Sequence, residues 1–161
     1  SSDVCSSDLK AIFDIYGSIE DEEYWKQCQE EIKKLPENVK VEYKGLVPHD
    51  RVHEVFSQYD AFLFPTLSEN YGHVIAESLV VGTPVIISDQ TPWRGLEEAG
   101  AGWDISLSNT TVFEQAVMQV VDMNTENFKE MNRKVMQYID EKLNIRKLKE
   151  QYAEALKLTV R

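Results

Sequence analysis

Cysteine is almost missing from this sequence: only Cys5 and Cys28 occur, in no CxxC or metal-ligand spacing. That excludes a disulfide framework and a zinc site, and Cys28 reads as one more apolar residue on a helix face. No stretch approaches about 18 consecutive apolar residues, and the start shows no basic region followed by an apolar run. The sequence therefore offers no membrane span or signal peptide, and the cytoplasm is the expected location. Cations are in the minority, 17 against 28 acidic residues, for a net charge of -11. Such a balance opposes a phosphate-backbone partner, which argues against nucleic acid and anionic membrane surfaces. No GxGxxG follows any predicted strand, an absence that weighs against a dinucleotide oxidoreductase or a sugar-nucleotide epimerase. Internal repeats and low-complexity linkers are absent too.

What remains is a chain of ordinary soluble composition, 161 residues and 42% hydrophobic, enough for one domain with a core. The first nine residues, SSDVCSSDL, show neither helical nor strand period and read as a tail, with order expected from Lys10 onward. From there short β-branched or aromatic runs alternate with longer amphipathic segments, the pattern of consecutive βα units and a parallel sheet. Strands are predicted at Ala11 to Tyr16, Val39 to Tyr43, Ala61 to Phe64, Pro84 to Ser88 and Gly102 to Ile105. Tyr24, Trp25, Cys28, Ile32 and Leu35 recur at helical spacing, as do Val52, Val55, Phe56 and Tyr59. A short helix is expected from Arg94 to Ala99, ending at the glycine turn Gly100-Ala101-Gly102. The last third predicts three helices and no strand. Their stripes are Val112, Phe113, Ala116, Val117, Val120 and Val121, then Phe128, Met131, Val135 and Ile139, then Leu148, Tyr152 and Leu156.

The chemistry concentrates in one stretch, Phe64 to Ser88. It reads strand, loop, helix, glycine, proline, strand, and its loop falls beyond the carboxyl end of a strand, where open parallel sheets bind ligands. The helix after Gly72 is apolar nearly all round except for His73 and Glu77, four residues apart on one stripe. Gly72 allows close backbone approach at the helix start, where free N–H groups favour an anion. His73 and Glu77 also have i, i+4 metal spacing, but no third ligand accompanies them.

Glu69 and Glu77, with Tyr71-Gly72 between them, resemble the E-x7-E signature of the family 4, or group 1, retaining glycosyltransferases of GT-B fold. Gly45-Leu46-Val47-Pro48, Tyr59 to Pro65 and Gly82-Thr83-Pro84-Val85-Ile86 match the family's flanking pattern, and the resemblance spans Lys10 to Leu158. It implies a Rossmann-like α/β fold, a parallel sheet of about five strands with a helical C-terminal extension, forming the nucleotide-sugar-binding domain over residues 10–161. It implies Glu69 as the catalytic residue gripping the donor sugar, and Asn70, Tyr71, Gly72, His73 and Val74 meeting sugar and diphosphate. Glu77 would bind the ribose diol, while Leu46 and Val47 would bracket the nucleobase. The family transfers a hexose from a UDP- or GDP-linked donor with retention and needs no catalytic metal or other cofactor.

One departure stands out. The family's strand, basic loop and helix upstream of Ala11 are replaced here by SSDVCSSDL, so the usual first and central strand and its phosphate-clamping cations are expected to be missing. So is the N-terminal domain that would hold the acceptor and any peripheral membrane contact. The chain then reads as most of the donor-binding half of an enzyme, inactive by itself, with a non-catalytic nucleotide-binding module as the rival. Arg94 is the one cation near the relevant sheet end and is a candidate phosphate or carboxylate partner, with a surface salt bridge as the alternative. Pro92-Trp93 reads as a rigid turn with a half-buried ring, or as a sugar contact.

Overall fold

The computed structural model describes residues 11–144; Cys5 and the third C-terminal stripe of Leu148, Tyr152 and Leu156 lie outside them. Five strands, six α-helices and one 3-10 turn alternate along these residues, and every strand pairing is parallel. The predicted strands are all present, shifted by no more than one or two residues at their ends. The ladder is not continuous. The strands form a pair and a separate set of three, and the chain divides into two compact units at Val52 and His53.

In the first unit, β1 (Ala11–Tyr16) pairs with β2 (Val39–Gly45) from Ala11 opposite Val39 to Tyr16 opposite Gly45. Between them runs α1 (Glu22–Ile32), one turn shorter than the stripe to Leu35 suggests. Asp21 starts it. Its carboxylate accepts from the amides of Glu23 and Tyr24 at 2.9 Å, and Glu22 and Glu23 complement the helix dipole. Trp25 packs on Tyr43 with ring centroids 5.2 Å apart, but no residue of α1 is fully buried, and Cys28 is half-buried. A 3-10 turn at His49–Arg51 leads into α2 (Val52–Phe56) at the boundary between the units.

The second unit holds the core. Its strands β3 (Phe62–Phe64), β4 (Val85–Ser88) and β5 (Gly102–Ile105) lie in the order β3-β4-β5. β4 is central, and all four of its residues are buried, which explains why Val-Ile-Ile shows no polar alternation. Four helices accompany the sheet: α3 (His73–Val80), α4 (Leu96–Ala99), α5 (Thr110–Val121) and α6 (Thr125–Leu143). Ile75 and Leu79 of α3, Leu96, Ala116, and Met131, Val135, Tyr138 and Ile139 of α6 join the strands in one apolar cluster. Burying a side chain such as Leu79 or Val135 contributes roughly 1.5–3 kcal/mol, so this cluster carries the unit. The polar atoms within it are matched. Ser78 Oγ donates to the Thr83 carbonyl at 3.1 Å, Thr83 Oγ1 to that of Phe56 at 2.8 Å, and Asn132 to that of Gly82 at 2.6 Å.

The helix expected from Arg94 begins only at Leu96. Gly95 precedes it in a left-handed conformation, and the carboxylate of Asp104 in β5 accepts from the amides of Gly95 and Leu96 at 3.4 and 3.0 Å. A cap supplied from the next strand therefore sets the helix start. Among the described residues, no helix is long and apolar enough to cross a membrane.

Candidate functional site

The loop after β3 runs beside the loop after β4, because parallel neighbours send their chains out of the same sheet edge. Three hydrogen bonds tie the two together in register. Ser88 Oγ donates to the carbonyl of Thr66, the amide of Glu69 donates to the carbonyl of Gln90 at 3.1 Å, and the indole N–H of Trp93 donates to the carbonyl of Tyr71 at 2.6 Å.

On that support the chain turns into α3. Gly72 is the residue before the helix and sits at φ 75°, ψ 57°, a left-handed conformation that other residues rarely adopt. A side chain there has no room, since a Cβ would lie 2.8 Å from Ile75 Cδ1 and 3.2 Å from both Glu69 Cγ and Trp93 Nε1. The carbonyl of Gly72 accepts from the amides of Ile75 and Ala76, whereas those of His73 and Val74 make no backbone hydrogen bond among the described residues. These amides carry the positive end of the helix dipole. They are the groups that suit a phosphate.

The carboxylates flank this turn. Glu69 is half-buried and one of its oxygens accepts from the amide of Asn70 at 3.1 Å, which holds the side chain beside the turn. Glu77 is half-buried one helical turn beyond His73, which is exposed and lies with its ring 4.7 Å from that of Tyr71. Asn70 and Tyr71 are exposed, and Val74 is half-buried. The structure thus gathers Glu69 to Val74 and Glu77 in the second unit. Leu46 and Val47 follow β2 in the first unit; Leu46 is one of the most exposed apolar residues, and Val47 is half-buried. Among the described residues, no three His, Cys, Asp or Glu side chains are grouped to hold a metal ion.

Arg94 is already engaged. Its Nε lies 3.4 Å from the Asp104 carboxylate, and its Nη1 donates to the carbonyl of Asp89, so the salt-bridge alternative describes where it sits. Trp93 is buried, not half-buried, at 5% exposure, and its indole spans to the donor-loop candidate. Sequence reasoning missed Tyr138. Its hydroxyl donates to the carbonyl of Arg94 at 2.9 Å, and burial, helped by the charge of Asp104, pushes the phenol up to about 12. Its spacing from Val135 was the available signal.

The sequence model of the glycosyl transferases group 1 matches residues 2–142, and the chain belongs to that family. Its fold is similar to part of S. aureus TarM, seen as a point mutant in complex with Fondaparinux, alpha-GlcNAc-glycerol and UDP. The two share 18% identity with a TM-score of 0.65, over 88% of this chain and 28% of that one. This likeness is to the fold alone. A comparison with curated proteins finds no match.

Proposed function

We propose that this chain is the donor-binding part of a retaining family 4 glycosyltransferase of GT-B fold, which takes a hexose from a UDP- or GDP-linked donor. The observation that carries the reading is the left-handed Gly72 at the head of α3, with Glu69 and Glu77 on either side and the amides of His73 and Val74 at its mouth. Breaking the anomeric bond leaves negative charge on the diphosphate and positive character on the sugar ring. A site for that reaction requires hydrogen-bond donors at the phosphate and acceptors at the ring.

Each residue then has a task. The backbone from Asn70 to Val74 receives sugar and diphosphate, and Glu69 accepts hydrogen bonds from the sugar hydroxyls. Glu77 accepts from the ribose diol, since a carboxylate has two oxygens for two vicinal hydroxyls. Arg94, bound to Asp104, acts on the site by holding the loop after β4 in place. The acceptor is held by a second domain, and no metal takes part in the transfer. TarM, similar in fold, is seen in complex with UDP, one of the two nucleotides this reading allows.

The test is calorimetry with UDP and with GDP. One of the two binds to the wild-type chain, and Glu77→Ala weakens it about tenfold or more, the loss of a charged hydrogen-bonding group being worth ~1.5–3 kcal/mol. Unchanged affinity in Glu77→Ala contradicts the ribose role, and binding of neither nucleotide contradicts the whole reading.

A further inference from the structure

The three bonds that tie the donor loop to the loop after β4 are not equivalent. The Ser88–Thr66 bond, also from a side chain, lies at the carboxyl end of β4, and the Glu69–Gln90 bond is between backbones, so neither reaches the turn itself. The third comes from a side chain and lands on the peptide immediately before Gly72. Trp93 Nε1 reaches the Tyr71 carbonyl at 2.6 Å, and the same nitrogen stands 3.2 Å from where a Cβ on Gly72 would be. The Trp93 ring also meets that of Tyr71 edge-on, with centroids 5.8 Å apart.

Trp93 is itself held from behind. Its backbone amide donates to Thr91 Oγ1 at 3.2 Å, and its ring centroid is 6.5 Å from that of Tyr138 in α6. The next residue is fixed three ways: the Tyr138 hydroxyl on the Arg94 carbonyl, the Arg94 guanidinium on Asp104, and the same guanidinium on the Asp89 carbonyl. In this setting the buried indole sends its N–H to the Tyr71 carbonyl. We propose that Trp93 is the positioning residue of the donor site: by fixing the Tyr71 carbonyl it sets the orientation of the Tyr71–Gly72 peptide and aims the amides at the head of α3 at the diphosphate. This rests on the donor-site reading of the same loop. Without the indole N–H, the Tyr71 carbonyl loses its partner and the turn samples other orientations, so part of the affinity is spent on reordering it.

Trp93→Phe retains a buried ring and removes the N–H, and Val135→Ala serves as a control that loosens the shared core while leaving the indole N–H in place. Measured in the full chain below the melting temperature of each variant, Trp93→Phe binds the nucleotide taken by the wild type about tenfold more weakly. Amide hydrogen exchange at Ile75 and Ala76, whose N–H groups donate to the Gly72 carbonyl, quickens by a similar factor. Val135→Ala lowers the melting temperature and leaves both unchanged. Wild-type affinity in Trp93→Phe, or a loss no larger than that of Val135→Ala, overturns the proposal. Binding of neither UDP nor GDP by the wild type removes the donor reading instead, and Trp93 is then judged on exchange at Ile75 and Ala76 alone. If Trp93→Phe does not fold, the wild type decides. Its Trp93 indole proton exchanges at least tenfold more slowly than a free indole, and exchange at the free rate overturns the proposal.

Discussion

Gly102 shows how a single residue can be dictated by its neighbour. It lies in β5 opposite Val85 at φ 149°, and a Cβ there would sit 2.2 Å from the Val85 carbonyl oxygen. Gly102→Ala therefore forces the central ladder apart, and a loss of about 3 kcal/mol or more is expected in denaturant unfolding; an unchanged midpoint contradicts the geometry. The sequence displays Gly100-Ala101-Gly102 as a turn, and it gives no hint that the second glycine is there for the strand beside it. Tyr138 makes a prediction of a different kind. With its phenol raised to about 12 from 10.0, the folded state favours the neutral form, so the stabilisation is complete below pH 10 and is lost as the pH rises through 12. Ultraviolet titration of the folded protein is expected to show one tyrosine ionising near pH 12, and ionisation of every tyrosine near 10 contradicts its burial beside Asp104.

At the scale of elements, the strands and long helices were legible because each follows from local pattern: apolar β-branched runs for β3, β4 and β5, and 3.6-residue stripes for α5 and α6. The ends were less so. α4 starts two residues after Arg94 because Asp104, eight residues beyond Leu96, supplies the cap, and a cap donated across space leaves no mark on the helix's own sequence. Asp104→Ala is expected to cost about 1–2 kcal/mol and to release Arg94, read as a lower melting temperature; a change below a few tenths means the cap is idle. β2 carries a row set by the strand period of two: Lys40, Glu42 and Lys44 share one face. Hydrogen bonds from Lys40 and then Lys44 hold Glu42 down to about 2. The contribution is therefore present above the ordinary carboxylate range and lost as the pH falls through 2. A carboxyl NMR titration is expected to put the Glu42 midpoint at about 2, and a midpoint near 4.5 denies the pairing.

For the whole molecule, hydropathy told which faces are apolar and left open what covers them. β1 and α1 have the stripes of packed elements, yet Ile12 is 65% and Tyr24 65% exposed, and neither element buries a residue fully, while Val85, Ile87 and Leu79 are at 0%. Five parallel strands were readable from the chain; they lie in ladders of two and three, and which strands become neighbours is set by pairing across space and not by local pattern. The first unit is expected to open at lower free energy than the second, with amides of β1 and β2 exchanging at least tenfold faster than those of β4, and equal protection contradicts the division. The candidate site, Glu69 to Val74 and Glu77, could be named from the sequence because its motif is contiguous, and the structure gathers these residues at the head of α3. The site's support by Trp93, Asp104 and Tyr138 could not, because those residues meet it only in space. The claim that the head of α3 receives a diphosphate is tested most directly by amide NMR during titration with UDP and GDP, and with uridine and guanosine. The resonances of Gly72, His73 and Val74 are expected to move with one of the diphosphates and to stay in place with its nucleoside. Resonances that move equally with both, or with neither, contradict it.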